Sequence, residues 1–144
     1  MNNNILSFKE NISNIKNEKN FYIKKVSLKN FRNHINLNLN LKNSSILIYG
    51  ENGSGKTNIL EAISLLNQGK GLRKANIENF LNQEKIHENT TKTWGVNVDF
   101  VGPNGKFNIG TGLKKTGSNK SRIAKVNSDY TSLSSLGEIL NKCL

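Results

Sequence analysis

The residues with the clearest chemical meaning in this sequence lie between positions 50 and 57. They match the pattern G-x-x-x-x-G-K-[ST], the phosphate-binding loop of nucleoside-triphosphate-binding proteins. Its glycines let backbone N–H groups approach a polyphosphate, and the N-terminus of a following helix adds further donors. We therefore predict that ATP binds through Gly50, Glu51, Asn52, Gly53, Ser54, Gly55, Lys56 and Thr57.

Two side chains of this loop carry chemistry of their own. The Lys56 ammonium is predicted to reach the β- and γ-phosphates, and the Thr57 hydroxyl to ligate Mg²⁺. Hydrolysis also needs a carboxylate at the end of a second buried strand. The closest candidate, Asp99, lies in an alternating strand, so we interpret it as a solvated residue of the sheet face. ATP and Mg²⁺ are the predicted cofactors, and no catalytic residue is identifiable.

The elements that flank the loop suit this role. Ile46–Tyr49 is a short apolar run with the character of a buried parallel strand. After the loop, apolar residues recur at helical spacing as far as Leu66, and this helix is predicted to end near Gly69 or Gly71. A strand, a glycine-rich loop and a helix in this order form the arrangement in which the motif has a mechanism.

Alternating residues predict two antiparallel hairpins. Strands over 23–31 and 35–41 are joined through Phe31-Arg32-Asn33-His34, and Trp94–Phe100 pairs with Phe107–Leu113 across the turn at 102–105. The remaining predicted elements are a short helix around residues 77–81, a basic loop over 114–121, a strand over 123–126, and an amphipathic C-terminal segment carrying Leu136, Ile139, Leu140 and Cys143. The predicted fold class is α/β, with a mixed sheet, hairpins and a P-loop helix.

Charge and composition narrow the classes of partner. The 144 residues include 21 Lys and Arg against 10 Asp and Glu, a net charge of +11, which suits a nucleic acid or an anionic membrane. A biased nucleotide content would produce the same lysine-rich composition. The sequence has no apolar run of about 18 residues and no apolar signal core, so we predict a cytoplasmic protein without a membrane partner.

Cysteine and histidine give no metal or disulfide pattern. Cys143 is the single cysteine, which excludes an internal disulfide. His34 and His87 are isolated and are predicted to be surface residues.

Three segments of the sequence resemble the RecF family of bacterial DNA replication and repair proteins. They are Tyr22-Ile-Lys-Lys-Val-Ser-Leu-Lys-Asn-Phe-Arg-Asn33, the loop with its flanks over 47–62, and Gly69-Lys-Gly-Leu-Arg73. The first is shared with the wider group of chromosome-maintenance and recombination ATPases. The third, with Ile109-Gly-Thr-Gly-Leu113, favours RecF.

The resemblance implies the N-terminal part of an ABC-type P-loop ATPase head, related to SMC proteins. It implies binding of ATP, of single-stranded and gapped DNA, and of RecO- and RecR-type mediators that assist recombinase loading during the SOS response to DNA damage. The complete protein is expected to be an ATP-dependent homodimer with weak DNA-dependent ATPase activity. Arg32 and Asn33 are expected near the nucleotide, with Arg73 as a further candidate for nucleotide or DNA.

The resemblance also sets the expected domain boundaries. Residues 1–20 are a polar extension that we expect to be poorly ordered, and 21–144 are expected to be an incomplete RecF-like ATPase domain, because the acidic Walker B strand and the signature motif of the family are missing. Two alternatives are the ATPase subunit of an ABC transporter, against which the Phe31-Arg32-Asn33 segment argues, and a non-enzymatic basic module whose glycine loop is incidental.

Overall fold

The computed structural model describes residues 7–11, 21–42, 45–67, 69, 71–82 and 92–143. Within these ranges the elements follow in the order β1 Ser7–Asn11, β2 Tyr22–Phe31, β3 His34–Asn40, β4 Ser45–Tyr49, α1 Lys56–Ser64, a 3₁₀ helix Ile77–Phe80, β5 Gly95–Gly102, β6 Gly105–Thr116, β7 Asn119–Val126, β8 Asp129–Thr131 and α2 Leu133–Cys143.

Strands β2, β3 and β5 to β8 form one six-stranded sheet in the order β3-β2-β5-β6-β7-β8, with every neighbouring pair antiparallel. Successive side chains of a strand point to opposite faces of the sheet. Val26 pairs with Val98, Val98 pairs with Ile109, and all three side chains are buried, so they lie on the same face, which is the core face. The α/β fold predicted from the sequence, with its two hairpins and its P-loop helix, is confirmed.

The core lies between one face of this sheet and the two α-helices. Ile59 and Leu65 of the α1 region and Leu136 of α2 are fully buried against it. An aromatic cluster of Phe31, Phe80 and Trp94, with ring centroids 5.4–5.6 Å apart, closes the end of the sheet beside the loop. Burying a large apolar side chain contributes roughly 1.5–3 kcal/mol. This cluster therefore fixes the turn that follows β2 firmly against the 3₁₀ helix.

The strand before the loop differs from its prediction in pairing. Strand β4 is present, but its described partner is β1, which runs antiparallel to it from Ser7↔Tyr49 to Asn11↔Ser45. Its side chains are also less buried than predicted, because Leu47 and Tyr49 are 55% and 42% exposed. The prediction of a buried parallel strand is wrong for the described residues. A continuous apolar run shows that a strand forms, but it does not identify the partner strand.

Three other elements differ from the prediction. Helix α1 ends at Ser64, several residues before Gly69, and Leu65 at its end keeps a right-handed conformation. Residues 114–121 are not a loop, since β6 and β7 extend through them as a hairpin in which Thr116 pairs with Asn119. Strand β8, absent from the prediction, follows a turn in which Asn127 and Ser128 have φ of 48° and 77°. Two consecutive residues with positive φ are typical of the tight hairpin turn that matches strand twist.

Of the predicted N-terminal extension, residues 1–20, the structure describes only strand β1. The predicted short helix at 77–81 is a 3₁₀ helix, and the amphipathic C-terminal segment is α2, with Leu136 fully buried. Across the described ranges, no helix has the length and apolar character needed to cross a membrane.

Candidate nucleotide-binding site

The loop between β4 and α1 owes its shape to two glycines with left-handed backbone conformations. Gly53 has φ of 85° and Gly55 has φ of 94°, values that L side chains rarely adopt. A Cβ at Gly55 would lie 2.5 Å from His34 Nε2 and 2.6 Å from Asn33 Oδ1, so a side chain does not fit here. The backbone of the loop is therefore packed directly against the hairpin turn between β2 and β3.

Helix α1 begins at Lys56, and its first amides face the loop. The N–H groups of Asn58 and Ile59 donate to the Gly55 carbonyl at 3.0 and 3.1 Å, while no side chain caps the helix. An uncapped helix N-terminus presents free N–H groups and the positive end of the helix dipole. This end of α1 is suited to a phosphate group.

The Lys56 side chain folds back over the loop. Its Nζ donates to the carbonyl oxygens of Gly50 at 2.8 Å and Glu51 at 2.7 Å. The ammonium is thus held beside the concave side of the loop, where a polyphosphate can replace these two neutral acceptors with charged ones. Thr57, in the first turn of α1, is exposed, so its hydroxyl is accessible to a metal ion bound with the nucleotide.

The Ser54 hydroxyl tests whether the loop fits a phosphate. Ser54 Oγ is buried and has no hydrogen-bond partner in the structure. An unpaired buried hydroxyl costs about 1–3 kcal/mol. A phosphate oxygen or its hydrating water would supply the missing partner, so this orphaned hydroxyl fits an anion at the loop.

Arg32 connects the first hairpin to α1 through a buried carboxylate. Its Nε and Nη2 donate to the two carboxylate oxygens of Glu61, each at 2.9 Å, and its Nη1 donates to the Asn79 carbonyl at 2.9 Å. The Glu61 side chain is fully buried, and the guanidinium lies 5.0 Å from the centroid of the Phe80 ring. These contacts hold Arg32 in a left-handed conformation with φ of 53°, which is uncommon for a residue with a side chain.

A chain of amide contacts joins the same hairpin to the loop. Asn33 Nδ2 donates to the Gly53 carbonyl at 3.1 Å, and Asn58 Nδ2 donates to Asn33 Oδ1 at 2.8 Å. Arg73 Nη1 lies 3.3 Å from Asn58 Oδ1 and 3.6 Å from Glu61 Oε2. Arg32 and Asn33 of the first hairpin turn and Arg73, about 40 residues further along the sequence, are therefore brought together around the loop and the first turns of α1.

His34 is not the surface residue that its isolation in the sequence predicts. It is only 8% exposed, and its Nε2 lies 3.2 Å from the Gly55 carbonyl, so Nε2 carries the proton in the neutral ring and donates it. Burial lowers the pKa of His34, and the hydrogen bond to Gly55 offsets part of this effect. The neutral imidazole is thus a structural support beneath the loop. His87 lies outside the described residues.

Glu61, Asn58 and His34 are site residues that the sequence analysis missed. For Glu61 a signal was present, because it precedes Ala62 and stands four residues before Leu65, both fully buried. A glutamate on the buried face of a helix needs a cationic partner. Asn58 and His34 gave no such signal, since their contacts depend on how closely the first hairpin approaches the loop.

Asp99 does not lie with the loop. It is on β5, on the sheet face opposite the core, and accepts a hydrogen bond from Asn108 Nδ2 at 2.5 Å. Among the residues that the structure covers, no group of three His, Cys, Asp or Glu side chains is arranged to hold a metal ion.

A family model described as an AAA domain matches residues 25–144. The DNA replication and repair protein RecF of Rickettsia rickettsii (strain Sheila Smith) is 51% identical over 69 residues, which are 48% of this chain and 19% of that protein. RecF of Rickettsia canadensis (strain McKiel) is 37% identical over 106 residues, 74% of this chain and 29% of that protein. The chain therefore spans less than a third of the length of these relatives.

Solved structures give a similar result. The recombination mediator protein RecF bound to ATP, in the RecFOR pathway, matches with a TM-score of 0.62 and 30% identity over 83% of this chain and 30% of that chain. A second RecF structure, with ATPrS, matches with the same TM-score and 27% identity over the same shares of the two chains.

Proposed function

The chain belongs to the family of AAA domains, and from this membership we propose that it binds ATP, with Mg²⁺, at residues 50–57. The observation that carries the proposal is the geometry of the loop: Lys56 and the uncapped N-terminus of α1 face the concave loop that Gly53 and Gly55 shape. A lysine, a helix N-terminus and a glycine-rich backbone are the groups that recognise a polyphosphate.

Each residue has a role in this proposal. The Lys56 ammonium neutralises the β- and γ-phosphates, and the loop amides donate to their oxygens. The Thr57 hydroxyl would ligate Mg²⁺, which would neutralise part of the negative charge of the polyphosphate. Asn33 fixes the loop through the Gly53 carbonyl. Arg32 stands beside the loop as a second cation and is held there by Glu61.

The wider function follows from the likeness to RecF. It is that of an ATP-binding DNA replication and repair protein, which binds single-stranded and gapped DNA and assists recombinase loading with RecO- and RecR-type mediators. ATP-dependent dimerisation and a slow ATPase activity belong to the complete protein. Two contacts support this part of the proposal: Asn33 in the first hairpin turn donates to the Gly53 carbonyl of the loop, and Arg73 lies 3.3 Å from Asn58 Oδ1 in the first turn of α1.

The metal part of the proposal has a direct test. ATP affinity should be measured with Mg²⁺ and with EDTA for the wild type, Thr57→Ser and Thr57→Val. The serine variant keeps the hydroxyl and should keep the gain in affinity from Mg²⁺, whereas the isosteric valine should lose most of it. Equal Mg²⁺ dependence in all three proteins would remove Thr57 from the metal site.

The DNA part is tested on the complete protein by a mobility shift with gapped duplex DNA, with and without ATP. A shift that ATP strengthens is expected of a repair ATPase. A complete protein that binds ATP but gives no shift would instead support the ATPase subunit of a transporter.

A further inference from the structure

The six-stranded sheet has a second face, opposite the side on which the two α-helices pack. Helix α1 packs near β2 and β5, and α2 packs near β7, both on the core face with Val98 and Ala124. The strand register places Ser27, Asn97, Gly110 and Lys125 side by side on the opposite face. We call this opposite side of β2, β3 and β5 to β8 the outer face.

Glycine residues form a shallow trough at the centre of the outer face. Gly95 on β5 pairs with Gly112 on β6, and Gly110 lies two residues away. The trough has a volume of about 420 Å³, and Ser27, Lys29, Asn36, Asn97 and Lys125 contribute to its walls. A Cβ at Gly112 would meet the Trp94 carbonyl oxygen at 2.6 Å. Glycine in a strand interior marks a place where the backbone is approached closely, and at Gly112 the approaching group is this carbonyl. The open part of the floor lies at Gly95 and Gly110, which are partly exposed and where a Cβ would meet no atom closer than 3.6 Å.

Charge on the outer face is strongly one-sided. The strands place five lysines on it and one carboxylate, Asp99, which is engaged by Asn108. The lysines are Lys25, Lys29, Lys106, Lys114 and Lys125. Lys29 on β2 and Lys125 on β7 are separated by three strand spacings, about 14 Å at ~4.8 Å each. These two lysines therefore form the opposite walls of a basic channel.

An exposed aromatic side chain stands at one side of this channel. Tyr130 on β8 pairs with Lys125 and is 62% exposed. The ammonium groups of Lys125 and Lys114 lie 4.4 and 5.3 Å from the centroid of its ring. The ring is thus held in place by two cations while much of its surface stays open to solvent.

We infer that the outer face binds single-stranded nucleic acid, with phosphates along the lysines and bases over the glycine floor and Tyr130. Lysine channels with an aromatic platform recognise single strands because every base has a face that stacks. The side-chain oxygens of Asn36 and Asn97 accept from Asn38 and Asn108, but their N–H groups can donate to base edges, which a duplex keeps covered. An anionic membrane fits less well, because Tyr130 is the one large exposed apolar side chain that these strands place on the outer face. The choice of nucleic acid as the partner rests on the proposed function, but the inference does not depend on the ATP site.

The test uses fluorescence anisotropy of a labelled oligo(dT) of about 15 nucleotides, a length suited to such surfaces, at about 50 mM salt and above. The channel variant is Lys29→Glu/Lys125→Glu. Its matched control, Lys115→Glu/Lys142→Glu, changes the net charge equally at two exposed lysines away from the outer face. A third protein, Tyr130→Ala, removes the ring without changing charge. Circular dichroism and binding of a fluorescent ATP analogue are measured on every protein.

We expect the channel variant to lose at least tenfold in affinity for the oligonucleotide. The slope of log affinity against log salt concentration should become shallower by about 1.4, or ~0.7 for each lost phosphate contact. Tyr130→Ala should lose about tenfold in affinity for the oligonucleotide, and the control variant should lose less than threefold. ATP binding should be unchanged in all of them, so failure of the ATP site would be recognised separately. Three results would overturn the inference: equal losses in channel and control variants, blunt duplex binding as tight as oligo(dT), or retention of phosphatidylserine vesicles without oligonucleotide binding.

Discussion

At the residue scale, the arrangement around the loop depends on the buried carboxylate of Glu61. It accepts two hydrogen bonds from Arg32 and lies 3.6 Å from Arg73, so one carboxylate orders two cations next to the proposed nucleotide. A fully buried charge is tolerated only when it is paired. The pair is therefore a requirement of the local fold as well as a way to place Arg32.

Glu61→Gln should lower the free energy of unfolding by about 2 kcal/mol. Removing one partner of a buried pair typically costs ~3–5 kcal/mol, and the figure is smaller here because the Arg32 side chain is 21% exposed. The measurement is the urea midpoint. Glu78→Gln is the matched control, since Glu78 forms an exposed pair with Lys120 at 3.1 Å and should change stability by no more than ~1 kcal/mol. Equal losses in the two variants would show that the Glu61 pair contributes no more than a surface ion pair.

His34 predicts a pH dependence of stability. Burial lowers its pKa in the folded state below the unfolded value of about 6.5, so the unfolded chain binds the proton more readily. The stability that neutral His34 contributes to the folded state is fully present above pH ~6.5 and is lost as the pH falls through the lowered folded pKa. Between pH 7 and 5.5, the wild type should lose more stability than His34→Gln, whose amide retains a donor for Gly55 but does not titrate. Parallel pH curves for the two proteins would contradict this assignment.

At the scale of elements, the close contact between the first hairpin and the phosphate loop determines the site. Gly55→Ala should be much more damaging than Gly53→Ala, although both residues have positive φ. Each variant carries a conformational cost of roughly 1–2 kcal/mol, but only at Gly55 does the new methyl group meet His34 and Asn33. Thermal unfolding and ATP affinity should both show the difference. Equal effects would mean that the hairpin moves away freely and does not brace the loop.

Arg122 joins the sheet to the other end of α1. Its guanidinium donates to the Leu65 and Gly69 carbonyls after the helix and, through Nε, to Thr111 Oγ1 at 3.0 Å. Burial lowers the pKa of Arg122, yet arginine remains protonated at neutral pH, so a cation is fixed at the negative end of the helix dipole. The phosphate loop and the helix that it begins are thus secured to the sheet at both ends.

Sequence patterns were sufficient for elements defined by local chemistry. The loop motif, the helix after it and the β2–β3 and β5–β6 hairpins follow from residue types and periodicity. The antiparallel pairing of β4 with β1 did not follow, because Ser7–Asn11 is polar and carries no alternating pattern. The β6–β7 hairpin was interpreted as a loop because its exposed lysines and its turn at residues 117–118 resemble solvated chain. Contacts such as that between His34 and Gly55 depend on how separate elements pack against each other, and no local sequence pattern specifies that packing.

At the scale of the whole molecule, the chain should bind ATP without turning it over at a measurable rate. Phosphoryl transfer needs a metal-holding carboxylate and a water-positioning group in addition to the phosphate cradle. In the part of the chain that the structure describes, Glu61 is engaged by arginines and Asp99 lies on the outer face. Steady-state phosphate release with Mg²⁺ and gapped DNA is the assay. Turnover that Lys56→Ala abolishes and Asp99→Asn also removes would identify Asp99 as catalytic.

The central claim, that the loop of residues 50–57 is a polyphosphate site, is tested most directly by the equilibrium affinity of a fluorescent ATP analogue. Wild type, Lys56→Ala and Lys142→Ala should be compared, the last being an exposed lysine on α2. A charge-assisted contact to phosphate contributes about 1.5–3 kcal/mol, or roughly ten- to a hundredfold in affinity. We predict a loss of that size for Lys56→Ala and almost none for Lys142→Ala. A change of less than twofold for Lys56→Ala, or equal losses in both variants, would contradict the account.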